Sequence, residues 1–126
     1  MESPVKIYLA GPMRGYPEFN FPAFSTAAAA LRRGGHFVFN PAEQDNARHG
    51  TDISKGNLKG DEYLAAQQHG FNLREALGID LGWICSDAEA IALLPGWEGS
   101  KGAKAELATA EALGLEVIKL GVSSDQ

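Results

Sequence analysis

Two acids and one phenol have the types and positions for chemistry on a bound ligand. Glu106 lies three residues after Ala103 and four before Ala110, at the edge of a helix's apolar stripe, and Asp80 has a similar place on its own helix. Carboxylates act as nucleophiles or carry protons, and a phenol such as Tyr8 can hold one in position. A solvated glutamate near a helix start is the commoner case on charge alone. Two acids on core-facing edges nevertheless indicate a pair that works over a shared ligand.

Two glycine-rich loops follow the first and third predicted strands. They are AGPMRG (Ala10 to Gly15) and PGWEGSKG (Pro95 to Gly102), and each carries one cation, Arg14 or Lys101. Ser100 is a plausible N-cap for the next helix, and capping alone explains it about as well as ligand binding does. With free helix N–H groups and Arg14, its hydroxyl would bind an anion. The pattern is neither a Walker loop nor a dinucleotide fingerprint, so it indicates no nucleotide class by itself.

Alternating strands and helices must position these residues. Short β-rich or apolar runs predict strands over Val5–Ala10, His36–Asn40, Ala88–Leu94 and Glu116–Leu120. Helix formers and apolar periodicity predict helices over Phe21–Arg33, Asn72–Ser86 and Gly102–Leu113, with a helical turn around Asp61–Gln68. The polar, aperiodic segment Ala42–Lys59 is interpreted as a long surface loop or lid.

This order predicts an α/β fold with a flavodoxin/Rossmann-like open parallel sheet of four to five strands and helices on both faces. The whole chain, residues 1–126, is predicted to form one domain. Ligands of such sheets bind beyond the carboxyl ends of the strands, near the topological switch point, and both glycine-rich loops lie there.

Composition limits the classes of function. The net charge of −5 disfavours a broad nucleic-acid surface. The start MESPVK does not resemble a signal peptide, no apolar run is long enough for a membrane span, and Cys85 cannot form an internal disulfide. These features predict a cytoplasmic, soluble protein with no membrane partner. The three histidines show no metal-ligand spacing, so neither a metal nor another cofactor is expected.

Three blocks carry a resemblance to a known family: YLAGPMRG, IDLGWICSDAEAIALLP and GSKGAKAELATAEALG. With them the chain resembles the nucleoside 2-deoxyribosyltransferase superfamily, and within it the 2'-deoxynucleoside 5'-monophosphate N-glycosidases. It looks closest to a small bacterial and phage branch, the DUF4406-like proteins. The likeness extends in element order from Lys6 to Val117.

The resemblance implies roles for individual residues. Glu106 matches the nucleophile, Asp80 the aspartate that contacts the sugar and the reacting groups, and Tyr8 the tyrosine that orients the nucleophile. The implied substrate-binding residues are Gly11, Pro12, Met13, Arg14, Gly15, Gly99, Ser100 and Gly102. Arg14 and the helix start at Ser100 would hold a 5'-phosphate, because nucleoside transferases carry an acid where this chain has Ser100.

The expected activity is hydrolysis of a (deoxy)nucleoside 5'-monophosphate to free base and sugar phosphate. A base-exchanging deoxyribosyltransferase is the first alternative, and a non-catalytic nucleotide-binding or sensor protein is the second. The resemblance also implies a homodimer with the site near the interface, in which a serine of the partner subunit completes the phosphate site. Ser123 and Ser124 are the candidates for that serine.

Overall fold

Four short strands form a single parallel sheet. The computed structural model describes residues 4–121, so Ser123 and Ser124 lie outside the described residues. The strands are β1 (Lys6–Ala10), β2 (Phe37–Phe39), β3 (Ala90–Leu93) and β4 (Glu116–Lys119). Their order is β2-β1-β3-β4 and every neighbouring pair is parallel. The predicted α/β open parallel sheet is confirmed.

In the described part of the chain, five helices connect or flank these strands: α1 (Phe21–Arg33), α2 (Pro41–His49), α3 (Glu62–His69), α4 (Leu73–Ser86) and α5 (Lys101–Ala112). Single 3-10 turns precede α1 and α5, at Pro17–Asn20 and Trp97–Gly99. The predicted helices α1, α4 and α5 are confirmed to within about one residue at each end, and the expected turn near Asp61 is the helix α3. In residues 4–121, no helix is both long enough and apolar enough to cross a membrane.

The alternation of side chains along β1 decides which helices meet Tyr8. Ile7 and Leu9 point to the face that α1 covers. Tyr8 and Ala10 point to the opposite face, where they pack in one cluster with buried residues of α4 and α5. Because successive strand residues alternate between faces, Tyr8 must face the two helices that carry Asp80 and Glu106.

The strand order also locates the switch point of the sheet. From β1 the chain passes to β2 on one side, and it later returns to β3 on the other side. This is the flavodoxin-like order, and its binding crevice lies between the loops that follow β1 and β3. Both glycine-rich loops therefore lie at the same end of the molecule.

One predicted segment is wrong in its first half. The helix α2, Pro41–His49, begins one residue before the expected loop Ala42–Lys59 and extends to His49 within it. Asn40 caps this helix, because its side-chain oxygen accepts the N–H of Ala42 at 3.0 Å, and Gly50 ends it with φ of 69°. The polar composition conceals an ordinary helix because α2 buries only a few of its side chains.

The second half of that segment lies against the first glycine-rich loop. The N–H of Gly15 donates to the carbonyl of Gly60 at 3.0 Å. A Cβ on Gly60 would lie 2.4 Å from the carbonyl oxygen of Tyr16, so only glycine permits this approach. The segment 50–60 is thereby fixed beside the loop that follows β1.

Candidate active site

A cavity of about 480 Å³ opens at the switch point of the sheet. This volume is typical of small-molecule sites, which span roughly 300–1,000 Å³. The cavity brings together most residues that the sequence nominates in the two loops: Gly11, Pro12, Met13, Arg14, Gly99, Ser100 and Gly102. Asp80 and Glu106 line the same space.

Gly15 is placed differently from the other nominated residues. It is exposed and does not line the cavity, and its N–H is already used by the carbonyl of Gly60. Its φ of 84° allows the turn that leads the chain away from the site. Gly11, in contrast, is needed for its small size. A Cβ at this position would lie 2.7 Å from Cβ of Leu94, so only glycine lets the backbone after β1 approach the end of β3 this closely.

A buried hydrogen bond joins β1 to α5 at the inner end of the cavity. The Tyr8 hydroxyl donates to Oε2 of Glu106 at 2.8 Å. Tyr8 is fully buried, and Glu106 and Asp80 are each only 7% exposed. Glu106 lies on the buried stripe of α5 with Ala103 and Ala110, so the helix phase aims its carboxylate at Tyr8.

Burial and mutual repulsion disfavour the charged forms of both acids. Burial, and then the charge of Asp80, raise the pKa of Glu106 to about 8, although the Tyr8 hydrogen bond acts against this. Burial, and then the charge of Asp45, raise the pKa of Asp80 to about 7. Burial and the charge of Glu106 hold the pKa of Tyr8 well above its usual value, so the phenol stays a proton donor.

Asp80 retains an unused acceptor. A phenol has one hydrogen, and Tyr8 donates it to Glu106, so only one of the two carboxylates can receive it at a time. Oδ1 of Asp80 is buried and has no hydrogen-bond partner among residues 4–121. A buried acceptor without a donor is costly, which favours a ligand hydroxyl or N–H at this place.

The start of α5 forms another wall of the cavity. Ser100 caps the helix, with its hydroxyl oxygen accepting the N–H of Ala103 at 3.1 Å. This confirms the predicted cap and leaves the hydroxyl hydrogen free to donate. The N–H groups of Lys101 and Gly102 belong to the first helical turn, where the helix itself supplies no acceptor. These donors and the helix dipole suit an anion.

Arg14 lies at the exposed rim of the cavity. Its side chain is 44% exposed, and Nη1 donates to Oε1 of Glu62 on α3 at 3.0 Å. A guanidinium has five N–H donors in a fixed fork, so the contact with Glu62 leaves others for a ligand. Among residues 4–121, no three His, Cys, Asp or Glu side chains are arranged so that they could hold a metal ion together.

Sequence reasoning missed one acid and a set of aromatic rings. Asp45 of α2 lines the cavity and is only 3% exposed. The rings that line the cavity are Tyr16, Phe19, Phe21, Phe24 and Phe71. An N-cap followed by proline, Asn40-Pro41, was the signal for α2, and Asp45 would then lie in its second turn. No sequence signal separates these rings from ordinary core residues.

Fold and site together define a class: a doubly wound α/β domain with a buried carboxylate–phenol cluster at its switch point. Residues 5–119 match the family described as Domain of unknown function (DUF4406). The chain belongs to that family, as the likeness to DUF4406-like proteins predicts. No curated protein and no solved structure matches the chain.

Proposed function

We propose that this protein is an N-glycosidase that hydrolyses a (deoxy)nucleoside 5'-monophosphate to free base and (deoxy)ribose 5-phosphate. The observation that carries the proposal is the buried hydrogen bond from Tyr8 to Glu106, beside Oδ1 of Asp80, for which residues 4–121 supply no hydrogen-bond partner. A binding protein has no need of an oriented carboxylate at this depth. The resemblance to nucleoside 2-deoxyribosyltransferases supports the same assignment.

In the proposed reaction, an ionised Glu106 attacks C1' of the sugar. The bond from C1' to the base nitrogen breaks as the bond from the carboxylate oxygen forms, and oxocarbenium character develops at C1'. Water then attacks C1', the bond from C1' to the Glu106 oxygen breaks, and the proton that the water loses balances the proton gained by the departed base nitrogen. The products are free base, sugar phosphate and the regenerated carboxylate. Tyr8 keeps the attacking oxygen in one orientation, and Asp80 accepts a hydrogen bond from a sugar hydroxyl.

The rest of the cavity suits the other two parts of a nucleotide. The helix start at Ser100, with Arg14, offers donors and positive charge to a 5'-phosphate. The aromatic rings offer flat apolar faces to a base; Phe19 and Phe71 stack with ring centroids 6.3 Å apart. The helix start would therefore bind the phosphate, the carboxylates would face the sugar, and the aromatic rings would contact the base.

The decisive experiment is an incubation of the purified protein with a panel of nucleoside monophosphates, both ribo and deoxy, and with the matching nucleosides. We expect free base and sugar phosphate from at least one monophosphate, and no product from the Glu106→Gln variant. Absence of free base from every substrate would contradict the proposal and favour a non-catalytic nucleotide-binding protein.

Base exchange is the alternative outcome for the same site. If a second base is added and its nucleotide appears faster than free sugar phosphate, the protein is a deoxyribosyltransferase. Glu106 keeps its role in both cases, since water and a base compete for the same glycosyl intermediate.

We also propose that the protein works as a homodimer with the site near the interface, as the resemblance implies. Sedimentation at the concentrations used for activity measurements should show a dimer. A monomer that is fully active at low concentration would contradict this proposal.

A further inference from the structure

Asp45 is a third carboxylate at the cavity, contributed by a helix that does not carry the other two. It is buried to the same degree as Asp80 and Glu106, and it accepts a hydrogen bond from Nη2 of Arg48, one turn further along α2. Nε of Arg48 lies 3.4 Å from Oε1 of Glu75 on α4. Arg48 thus lies between a buried acid and an exposed one.

Charged and titratable groups reach Asp80 from several packed elements. They are Tyr8 from β1, Glu106 from α5, Asp45 and Arg48 from α2, and more distantly Glu75 and His49, which act on Asp45. Three carboxylates share this end with one guanidinium, so they cannot all be ionised without strong repulsion. The charge of one depends on the charges of the others.

We propose that Asp45, held by Arg48, is a positioning residue that sets the charge of Asp80 and thereby the pH range in which the site works. Neutral Asp80 can donate a hydrogen bond to a ligand, whereas ionised Asp80 can only accept one. Asp45 and Asp80 line the same cavity from different helices, and the charge of Asp45 raises the pKa of Asp80 while Arg48 lowers it. A single substitution in α2 should therefore change which form of Asp80 meets the ligand.

The first test needs no substrate. The carboxyl carbon of Asp80 is followed by ¹³C NMR against pH, with its signal assigned through Asp80→Asn. Asp45→Asn removes a negative charge that repels ionised Asp80 but keeps the positive charge of Arg48. The pH at the midpoint of the Asp80 titration should therefore fall by about one unit or more. The double variant Asp45→Asn, Arg48→Met removes a neutral pair, and its midpoint should fall less.

Glu75→Gln is the matched control. Glu75 also neighbours Arg48, but its side chain is 55% exposed, so solvent and salt screen its charge and the midpoint should barely move. An Asp80 midpoint in Asp45→Asn that is unchanged, raised, or lowered no more than in the control would overturn the inference. If Asp45→Asn does not fold, Asp45→Ser removes the same charge and decides the question.

The second test is the pH profile of kcat/KM, and it rests on the proposed N-glycosidase activity. Removing the charge of Asp45 should move the profile of Asp45→Asn to lower pH, while Glu75→Gln keeps the wild-type profile. An active Asp45→Asn variant with an unshifted profile would overturn the positioning role. A wild-type protein without activity would instead refute the proposed function, and the NMR titration would still decide whether Asp45 controls Asp80.

Discussion

The two ends of the cavity are built differently. At the inner end, here called the carboxylate end, Tyr8, Asp80 and Glu106 are buried, and a hydrogen bond already joins two of them. At the outer end, here called the rim, Arg14 and Lys101 are exposed and Ser100 is half-buried. Charge interactions are strong where water is excluded and weak where solvent screens them.

This difference suggests a division of labour under the proposed function. The carboxylate end is oriented before any ligand arrives, so it suits the reacting atoms of every substrate. The rim has exposed side chains and unused donors, so it suits the part of the ligand that distinguishes one substrate from another. Substitutions at the two ends should therefore change different kinetic quantities.

The largest expected effect is at the carboxylate end. Glu106→Gln keeps the shape of the side chain but removes the nucleophile, so all substrates should be turned over at far less than a tenth of the wild-type rate. If the variant kept more than about a tenth of the wild-type rate, the activation barrier would have risen by less than ~1.4 kcal/mol. A change that small would contradict the role of Glu106 as the nucleophile.

The same variant should gain stability at high pH. Burial raises the pKa of Glu106 from the ordinary value of 4.5 to about 8, so wild type loses stability as pH rises between those values, when only the unfolded chain releases the proton. Glutamine does not titrate, so Glu106→Gln should show a smaller loss over that window. Urea unfolding at pH 5 and pH 8.5 measures how much of the free energy of unfolding each protein loses between these pH values. Equal losses in wild type and Glu106→Gln would mean that ionisation of Glu106 does not destabilise the folded protein.

The next effect is at the rim and should be selective. Arg14→Ala removes a charge-assisted contact worth roughly 1.5–3 kcal/mol, which is about a ten- to hundredfold loss of kcat/KM on monophosphates. Ser100→Asp still caps α5 but places a negative charge beside the phosphate. In both variants, kcat/KM should fall much less on the matching nucleosides than on the monophosphates.

Lys104→Ala is the control for this comparison. Lys104 is an exposed cation of α5 that does not line the cavity, so its removal changes the net charge but should leave the preference for monophosphates intact. Equal wild-type activity on nucleosides and monophosphates, or no selective loss in either rim variant, would mean that the rim binds no phosphate. Ser100 would then be only a cap.

The smallest effect is expected from Tyr8→Phe. The Tyr8 hydrogen bond lowers the pKa of Glu106, so its loss raises that pKa further and moves the rising limb of the pH–rate profile to higher pH. Above the limb the rate should fall by less than about tenfold, because a more basic carboxylate is also a better nucleophile. A limb that stays in place would show that another group controls the protonation of Glu106.

Sequence patterns predicted most of the fold. Buried parallel strands such as β3 are short continuous apolar runs, and α4 and α5 carry apolar stripes with recognisable stops. The same stripes identified Asp80 and Glu106 as candidate site residues, because acids are seldom found on the buried side of a helix.

The parts of the site that the sequence did not predict depend on contacts between residues far apart in the chain. Asp45 is buried because α2 lines the cavity at this position, while the sequence of α2 is polar almost throughout. Gly15 resembled a ligand-binding glycine, but the carbonyl of Gly60, a distant residue, takes its N–H. Such pairings appear only when the chain has folded.

The hydrogen bond between Tyr8 and Glu106 also has a consequence for the timing of folding. Its two residues are 98 positions apart, and the strand that carries Tyr8 lies between β2 and β3 in the sheet. At a synthesis rate of roughly 5–20 residues per second, Glu106 is made about 5 to 20 seconds after Tyr8. Until then, the newborn chain carries an unpaired phenol and a central strand without its neighbour. The hydrogen bond therefore cannot form until α5 has left the ribosome, and a chain that ends before Glu106 would lack this contact.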